Sequence, residues 1–231
     1  EKLSMHTAKA LGDLWRCLEN PARSDEYYFE NINSGAMNFQ TIISKYYLGI
    51  SLIDAGKRSE GQKWIDEAIS EAEHKGLRGI ESSMKMGRLV IATEKKPTPT
   101  MVIEAQKVLE VIKETKSSQT GFFQNSLKGH LAEASGKKDE AIEYYQNAIL
   151  PENINGNVWY ELLAYKRVLA LALPDSSTWK STEKAVNDIM ERMQAHATHP
   201  AIKGSFNKFC NKWRKYVNGL STKAVYKNNH K

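Results

Sequence analysis

A spacing of small residues that recurs in two segments sets the strongest limit on how this chain can fold. In the clearer segment, a glycine lies inside one helical pattern and a second glycine closes that helix, where it can adopt the left-handed conformation that ends helices. The next helical pattern places small, aromatic and small residues at i, i+4 and i+7 on one face. These positions are Gly129, Gly136, Ala141, Tyr145 and Ala148. The segment is therefore predicted to be a closely packed pair of helices.

The same order of residue types occurs earlier in the chain. Gly49 takes the small position, Gly56 the turn, Ile65 the large position and Ala68 the last small position. The departure is Gly61, which stands where the other segment has alanine. This pattern resembles the tetratricopeptide repeat, a helix–turn–helix unit that stacks in arrays. Two segments in one register indicate an array and not an isolated pair.

The resemblance implies an all-α fold, namely an α-solenoid of antiparallel helix pairs with a tetratricopeptide-like superhelix of about ten to twelve helices. The glycines Gly12, Gly49, Gly87 and Gly129 are 37, 38 and 42 residues apart. These spacings exceed the ~34 residues of the standard repeat, so the helices are predicted to be longer by about a turn. The composition agrees, because 6 Pro and 14 Gly in 231 residues favour long helices with short connections.

The array is predicted to occupy residues 1–200, followed by an amphipathic basic capping helix over 201–218 and a basic tail over 219–231. The capping helix carries apolar residues at alternating steps of four and three, as expected of a terminal helix with one buried and one solvated face. The helix before it is predicted to be capped by Ser177 or Ser181.

No motif for catalysis is present. The chain contains no Gly-rich phosphate loop, no Cys-x-x-Cys and no His-Glu-x-x-His. His196 and His199 are three residues apart, but no third metal ligand is nearby, and an ordinary helix end with favourable imidazoles is the simpler interpretation. We therefore expect no enzyme activity, cofactor, metal or small-molecule substrate.

The two cysteines, Cys17 and Cys210, lie near opposite ends of the chain. In an elongated stack they would be too far apart for a disulfide, so buried or half-buried thiols and a cytoplasmic location are expected. The chain opens at Glu1 without a methionine or a signal peptide. That is expected of a processed product or of a fragment, such as the regulatory or sensing domain of a larger signalling or transcription-regulating protein.

The resemblance also implies a binding groove, because the first helix of each pair lines the concave face of such arrays. The groove would suit an amphipathic helix or an extended peptide from a protein partner. The alternative is that several of its side chains are buried against a neighbouring helix. If they line a groove, alanine at Tyr46, Arg88 or Tyr160 should weaken binding and leave stability nearly intact. The groove positions fall on Tyr46, Ile50, Ile53, Met84, Arg88, Phe123, His130, Glu133, Tyr160 and Arg167.

A second candidate site is the basic C-terminus. Nine Lys/Arg and no Asp/Glu occur from Arg192 onward, and the overall charge is +6, so the preceding residues sum to −3. Such a surface could bind nucleic acid, an anionic membrane or an acidic protein, and the alternative is a solvated face on a capping helix. The basic patch consists of Lys203, Lys208, Lys212, Arg214 and Lys215.

Overall fold

The computed structural model describes residues 4–34, 39–93, 97–111, 118–150 and 158–228, apart from the side chains of 5, 6, 111, 118–120, 201 and 221–228. Within these ranges the chain forms eleven α-helices and no strand, which confirms the all-α prediction. None of these helices is long and apolar enough to cross a membrane. The helices are α1 (Met5–Cys17), α2 (Pro21–Asn33), α3 (Phe39–Asp54), α4 (Arg58–His74), α5 (Arg78–Thr93), α6 (Pro99–Val111), α7 (Ser118–Ala134), α8 (Lys138–Ala148), α9 (Val158–Leu171), α10 (Ser177–His196) and α11 (Pro200–Asn228).

The chain divides into two compact units, Glu1–Arg88 and Leu89–Lys231, and the boundary falls within α5. Helices that follow one another in sequence pack together, as α1 to α4 do in the first unit and α7 to α11 do in the second. The predicted array over residues 1–200 stays a prediction.

The pair α3–α4 shows how the predicted register works in three dimensions. A Cβ placed on Gly49 would lie 2.6 Å from the carbonyl oxygen of Gly61 and 2.6 Å from Cγ1 of Ile65. Nearer the turn, a Cβ placed on Gly61 would lie 2.8 Å from Cγ1 of Ile53. Farther from the turn, Lys45 forms an ion pair with Glu67 at 2.5 Å. The helices are therefore antiparallel, and their backbones approach too closely for any side chain larger than hydrogen at these two glycines.

The pair α7–α8 repeats this arrangement at the predicted residues. A Cβ placed on Gly129 would lie 2.5 Å from the ring of Tyr145, which is almost fully buried. Gly136 has φ +76°, the left-handed conformation predicted for the helix end. Ala141 and Ala148 are both fully buried. The register inferred from the sequence is thus present as contacts in both segments.

A third pair, α1–α2, has the same register, although its turn residue and the small positions of its second helix are of different residue types. A Cβ on Gly12 would lie 2.6 Å from the ring of Tyr28, sixteen residues later, the same spacing as Gly49 to Ile65 and Gly129 to Tyr145. The turn residue seven positions after Gly12 has a positive φ as well, although it is Glu19 (φ 53°) and not glycine. The positions twelve and nineteen residues after the glycine are buried in all three pairs: Ser24 and Asn31, Gly61 and Ala68, Ala141 and Ala148.

One hydrogen bond closes each of these three turns in the same way. The third residue beyond the helix end donates its amide to a carbonyl five residues earlier, as in a Schellman cap. These bonds run from Asn20 to Trp15 (2.9 Å), from Lys57 to Leu52 (2.8 Å) and from Lys137 to Ala132 (2.9 Å). The three pairs therefore share the backbone geometry of the turn even where the residue type differs.

Two helix ends differ from the sequence predictions. The side chain of Ser176, and not that of Ser177 or Ser181, accepts the cap hydrogen bond of α10 from the amide of Trp179 at 3.2 Å. Asp175, just before this cap, has a left-handed backbone conformation (φ 67°), and Ser176 itself is extended. The last helix continues to Asn228 and does not end at residue 218. A single glycine weakens a helix but need not end it, and Gly219 is not in a positive-φ conformation.

Candidate functional site

The predicted groove residues of the first unit lie together on α3 and α5. Tyr46 and Met84 are buried in one core cluster, and Ile50 and Ile53 pack against it while remaining partly exposed. Arg88 lies at the edge, where its guanidinium forms an ion pair with Asp66 of α4 at 3.1 Å. The accessible part of this face is therefore two isoleucines and one arginine.

The hydroxyl of Tyr46 is buried and finds no hydrogen-bond partner among the described residues. Burial raises the pKa of this phenol, and the nearby hydroxyl of Tyr47 raises it further. Buried polar atoms are normally hydrogen-bonded, so this hydroxyl is the least satisfied group among the predicted groove residues of the first unit.

A cluster of aromatic rings and cations, which the sequence pattern does not reveal, lies beside Tyr46. The ring of Tyr47 stacks on that of Tyr28 at 6.2 Å and meets Tyr46 edge-on at 5.5 Å. The guanidinium of Arg16 lies 4.7 Å from the centre of the Tyr47 ring, and the ammonium of Lys9 lies 5.4 Å from it. These cation–π contacts join α1 to α3, and no spacing within one helix could have revealed them.

Carboxylate and phenol groups complete this cluster. Tyr28 donates its hydroxyl hydrogen to Asp13 at 2.7 Å, and Lys9 forms an ion pair with the same carboxylate at 2.5 Å. Burial alone would lower the pKa of Arg16, but Tyr28, Cys17 and their neighbours raise it above its ordinary value, so this arginine stays charged. Burial raises the pKa of the Cys17 thiol to about 11, which keeps it protonated and unreactive at neutral pH.

The predicted groove residues of the second unit lie on α7 and α9. The ring of Phe122 stacks on that of Tyr160 at 4.2 Å, and Phe123 meets Tyr160 edge-on at 5.5 Å. All three side chains are buried. The aromatic residues at this end of α7 therefore hold α9 in place and offer little surface to a ligand.

Near the other end of α7, polar groups form a network. Glu133 forms an ion pair with Arg167 of α9 and accepts a hydrogen bond from the hydroxyl of Tyr145 at 3.1 Å. His130 lies beside it, with Nδ1 2.9 Å from the hydroxyl oxygen of Thr93. Burial, together with the charge of Arg167, lowers the pKa of His130 to about 3, so the imidazole is neutral at physiological pH.

The structure therefore brings the predicted residues together within each unit. Half of them are buried, and the other half remain partly exposed. Tyr46, Met84, Phe123, His130 and Tyr160 are buried. The partly exposed ones are Ile50, Ile53, Arg88, Glu133 and Arg167.

This burial corrects the expectation that alanine at Tyr46 or Tyr160 leaves stability nearly intact. Each of these tyrosines is only 3% exposed. Removing a buried aromatic ring typically lowers the free energy of unfolding by about 3–5 kcal/mol. Arg88 is different, because an exposed ion pair contributes at most about 1 kcal/mol, so its replacement still separates binding from stability.

Helix packing also decides which residues of the basic patch on α11 are exposed. Phe209, Cys210, Trp213 and Val217 form the buried face of the helix. Lys203, Lys208, Lys212 and Lys215 are exposed, whereas Arg214 is half-buried and donates a hydrogen bond to Gln194 of α10 at 2.8 Å. Four of the five predicted basic residues are thus accessible to a ligand.

The part of the chain that the structure describes contains no group of three or more His, Cys, Asp or Glu side chains placed to hold a metal ion. Comparison with protein families, with curated proteins and with solved structures found no match for this chain. Function is therefore inferred from the contacts of the chain itself.

Proposed function

We propose that this protein is an interaction module that binds a peptide or an amphipathic helix of another protein and catalyses no reaction. The fold in this proposal is a divergent tetratricopeptide-like α-solenoid, and the face used is that of the first helices of the pairs. The observation that carries the proposal is the shared register of α1–α2, α3–α4 and α7–α8, in which a glycine of the first helix contacts a large residue sixteen positions later.

The partly exposed residues on this face have the chemistry that such a ligand requires. In the first unit, Ile50 and Ile53 offer apolar surface and Arg88 offers a partly exposed guanidinium. An amphipathic helix or an extended peptide presents apolar anchors flanked by polar groups, which matches this combination. We further propose a cytoplasmic location, supported by two free cysteines, and a role as the regulatory or sensing part of a larger protein.

Selection from a random peptide library tests this function, because it samples many partner sequences at once. The library is selected against the chain, and the affinity of each enriched peptide is measured for Ile50→Ala, Arg88→Ala and Lys63→Ala. Lys63 is exposed on α4, the second helix of its pair, and serves as the control. We expect the first two variants to bind at least about fivefold more weakly, the loss of roughly 1 kcal/mol at an interface contact. Failure to enrich any peptide, or equal affinities for all three variants, would contradict the proposal.

A further inference from the structure

Between residues 209 and 217, the apolar face of α11 is covered by the protein itself. Phe209 packs beside Trp159 of α9, with their ring centres 6.4 Å apart. The thiol of Cys210 points at the carbonyl oxygen of Met190 in α10 at 3.8 Å, and Trp213 is 5% exposed. A helix that lies on a membrane must insert its apolar face among the lipids. Because that face is covered between residues 209 and 217, this part of α11 is not available to insert into a membrane surface without separating from α9 and α10.

The opposite face of α11 carries three lysines in a line. Lys208, Lys212 and Lys215 are exposed and follow one another at i, i+4 and i+7, so they lie on one side of the helix. We call these three residues the lysine face. Exposed asparagines lie along its edge, and the whole helix contains no Asp or Glu. The asparagines are Asn207, Asn211 and Asn218.

Several lysines elsewhere in this chain stand beside carboxylates, which is the usual composition of a solvated protein surface. Such pairs are Lys9–Asp13, Lys85–Glu81, Lys137–Glu140 and Lys45 with Glu67 and Glu71. By contrast, no carboxylate of the described residues lies within ion-pair distance of Lys208 or Lys215, so their charges are available to an external anion.

We propose that the lysine face binds the phosphate backbone of a nucleic-acid duplex. The first and last of the three lysines are seven positions apart, which is about 10.5 Å along the helix. One strand of a duplex carries a phosphate about every 3.4 Å of its axis, so the lysine face covers about three phosphates. The asparagine amides along one edge of the lysine face can donate hydrogen bonds to phosphate and sugar oxygens. The lysine face belongs to α11 of the second unit and shares no residue with the peptide site proposed on α3 and α5, so either can exist without the other.

The proposal predicts a defined dependence on salt. Three neutralised phosphates contribute about −2.7 to the slope of log affinity against log salt concentration. Their contribution alone weakens binding roughly 40-fold between 50 and 200 mM salt. No sequence preference is expected, because phosphate contacts position a protein without reading bases.

The test uses the full chain and a labelled duplex DNA and duplex RNA of about 24 base pairs, with affinity measured by fluorescence anisotropy across this salt range. The variant replaces all three lysines (Lys208→Gln, Lys212→Gln, Lys215→Gln), since glutamine keeps the helix propensity of lysine. The matched control replaces exposed lysines elsewhere with the same change of charge (Lys63→Gln, Lys75→Gln, Lys138→Gln). We expect the first variant to bind at least about tenfold more weakly at 50 mM salt, with a slope shallower by about 2.7, and the control to bind like the parent.

Four results would overturn the proposal. The parent chain could fail to bind either duplex at 50 mM salt, or the control variant could lose as much affinity as the lysine-face variant. Tighter binding to a single strand than to its duplex would remove the duplex assignment. Tighter binding, through the same lysines, to polyglutamate or to phosphatidylserine vesicles would assign the face to an acidic protein or a membrane.

Discussion

Replacing Gly49 by alanine tests the close approach of α3 and α4 directly. The new methyl group would lie 2.6 Å from a backbone oxygen of Gly61 and 2.6 Å from the side chain of Ile65. Ordinary van der Waals contacts of a Cβ begin at 3.4 Å. The two distances must therefore grow from 2.6 to 3.4 Å, or the methyl group stays in steric conflict with Gly61 and Ile65. The backbone oxygen cannot turn away as a side chain can, so the whole helix has to move.

The expected magnitude combines two opposing effects. Overpacking of a closely packed core typically destabilises by about 1–3 kcal/mol. Alanine gains about 1 kcal/mol over glycine from its higher helix propensity, which reduces the net loss. The matched control is Gly204→Ala in α11, where an added Cβ meets nothing within 4 Å and only the propensity gain applies. We therefore expect Gly49→Ala to be about 1–3 kcal/mol less stable than Gly204→Ala.

Chemical denaturation followed by far-ultraviolet circular dichroism measures both variants against the parent. If Gly49→Ala proves as stable as Gly204→Ala, the helices do not approach as closely as the structure indicates, and the shared register is refuted. If Gly204→Ala instead destabilises the protein, the gain expected from the higher helix propensity of alanine does not hold in this chain.

The buried alanines and the buried histidine give two more predictions. Ala148→Leu and Ala68→Leu, at equivalent and fully buried positions, should each lower the free energy of unfolding by about 1–3 kcal/mol in chemical denaturation, whereas Lys138→Leu at an exposed site should change it little. Leucine variants as stable as the parent would show that these alanines do not lie at a helix–helix contact. His130 has a folded-state pKa of about 3, below its ordinary value of 6.5, so its neutral form stabilises the fold fully above pH 6.5. That stabilisation should decrease by about 1.4 kcal/mol per pH unit as the pH falls towards 3. Denaturation of the parent and of His130→Gln at pH 4 to 7 should show the difference in slope, and parallel curves would contradict the assignment.

The local geometry of two helix pairs could be predicted from residue spacing alone. Gly129, Gly136 and Tyr145 predict a turn and a close contact that the structure contains, because positions four and seven apart must share a helix face. The same reasoning applies to Gly49 and Ile65. Spacing is sufficient here because the contacting residues lie within one short helix–turn–helix segment.

The glycine spacing of the sequence includes Gly12, but the other positions of this third copy of the register become visible only in the folded chain. In α1–α2 the turn position is Glu19 and the last small position is Asn31, so the residue types that identify the other two pairs are missing. What remains is the contact of Gly12 with Tyr28, and one matching pair of residues does not define a repeat by itself. The backbone can adopt the same turn with glutamate at an energetic cost that helix packing offsets.

The division of the predicted groove residues into buried and accessible ones likewise depends on contacts between distant parts of the chain. Arg167 is 34 residues from Glu133, and Thr93 is 37 residues from His130, yet each pair is in contact. The periodicity of a helix shows which side chains share a face, but the partner that covers the face comes from elsewhere in the chain. Periodicity therefore assigns Tyr46, Tyr160 and Arg88 alike to the predicted groove. Packing buries the two tyrosines and leaves the arginine partly exposed.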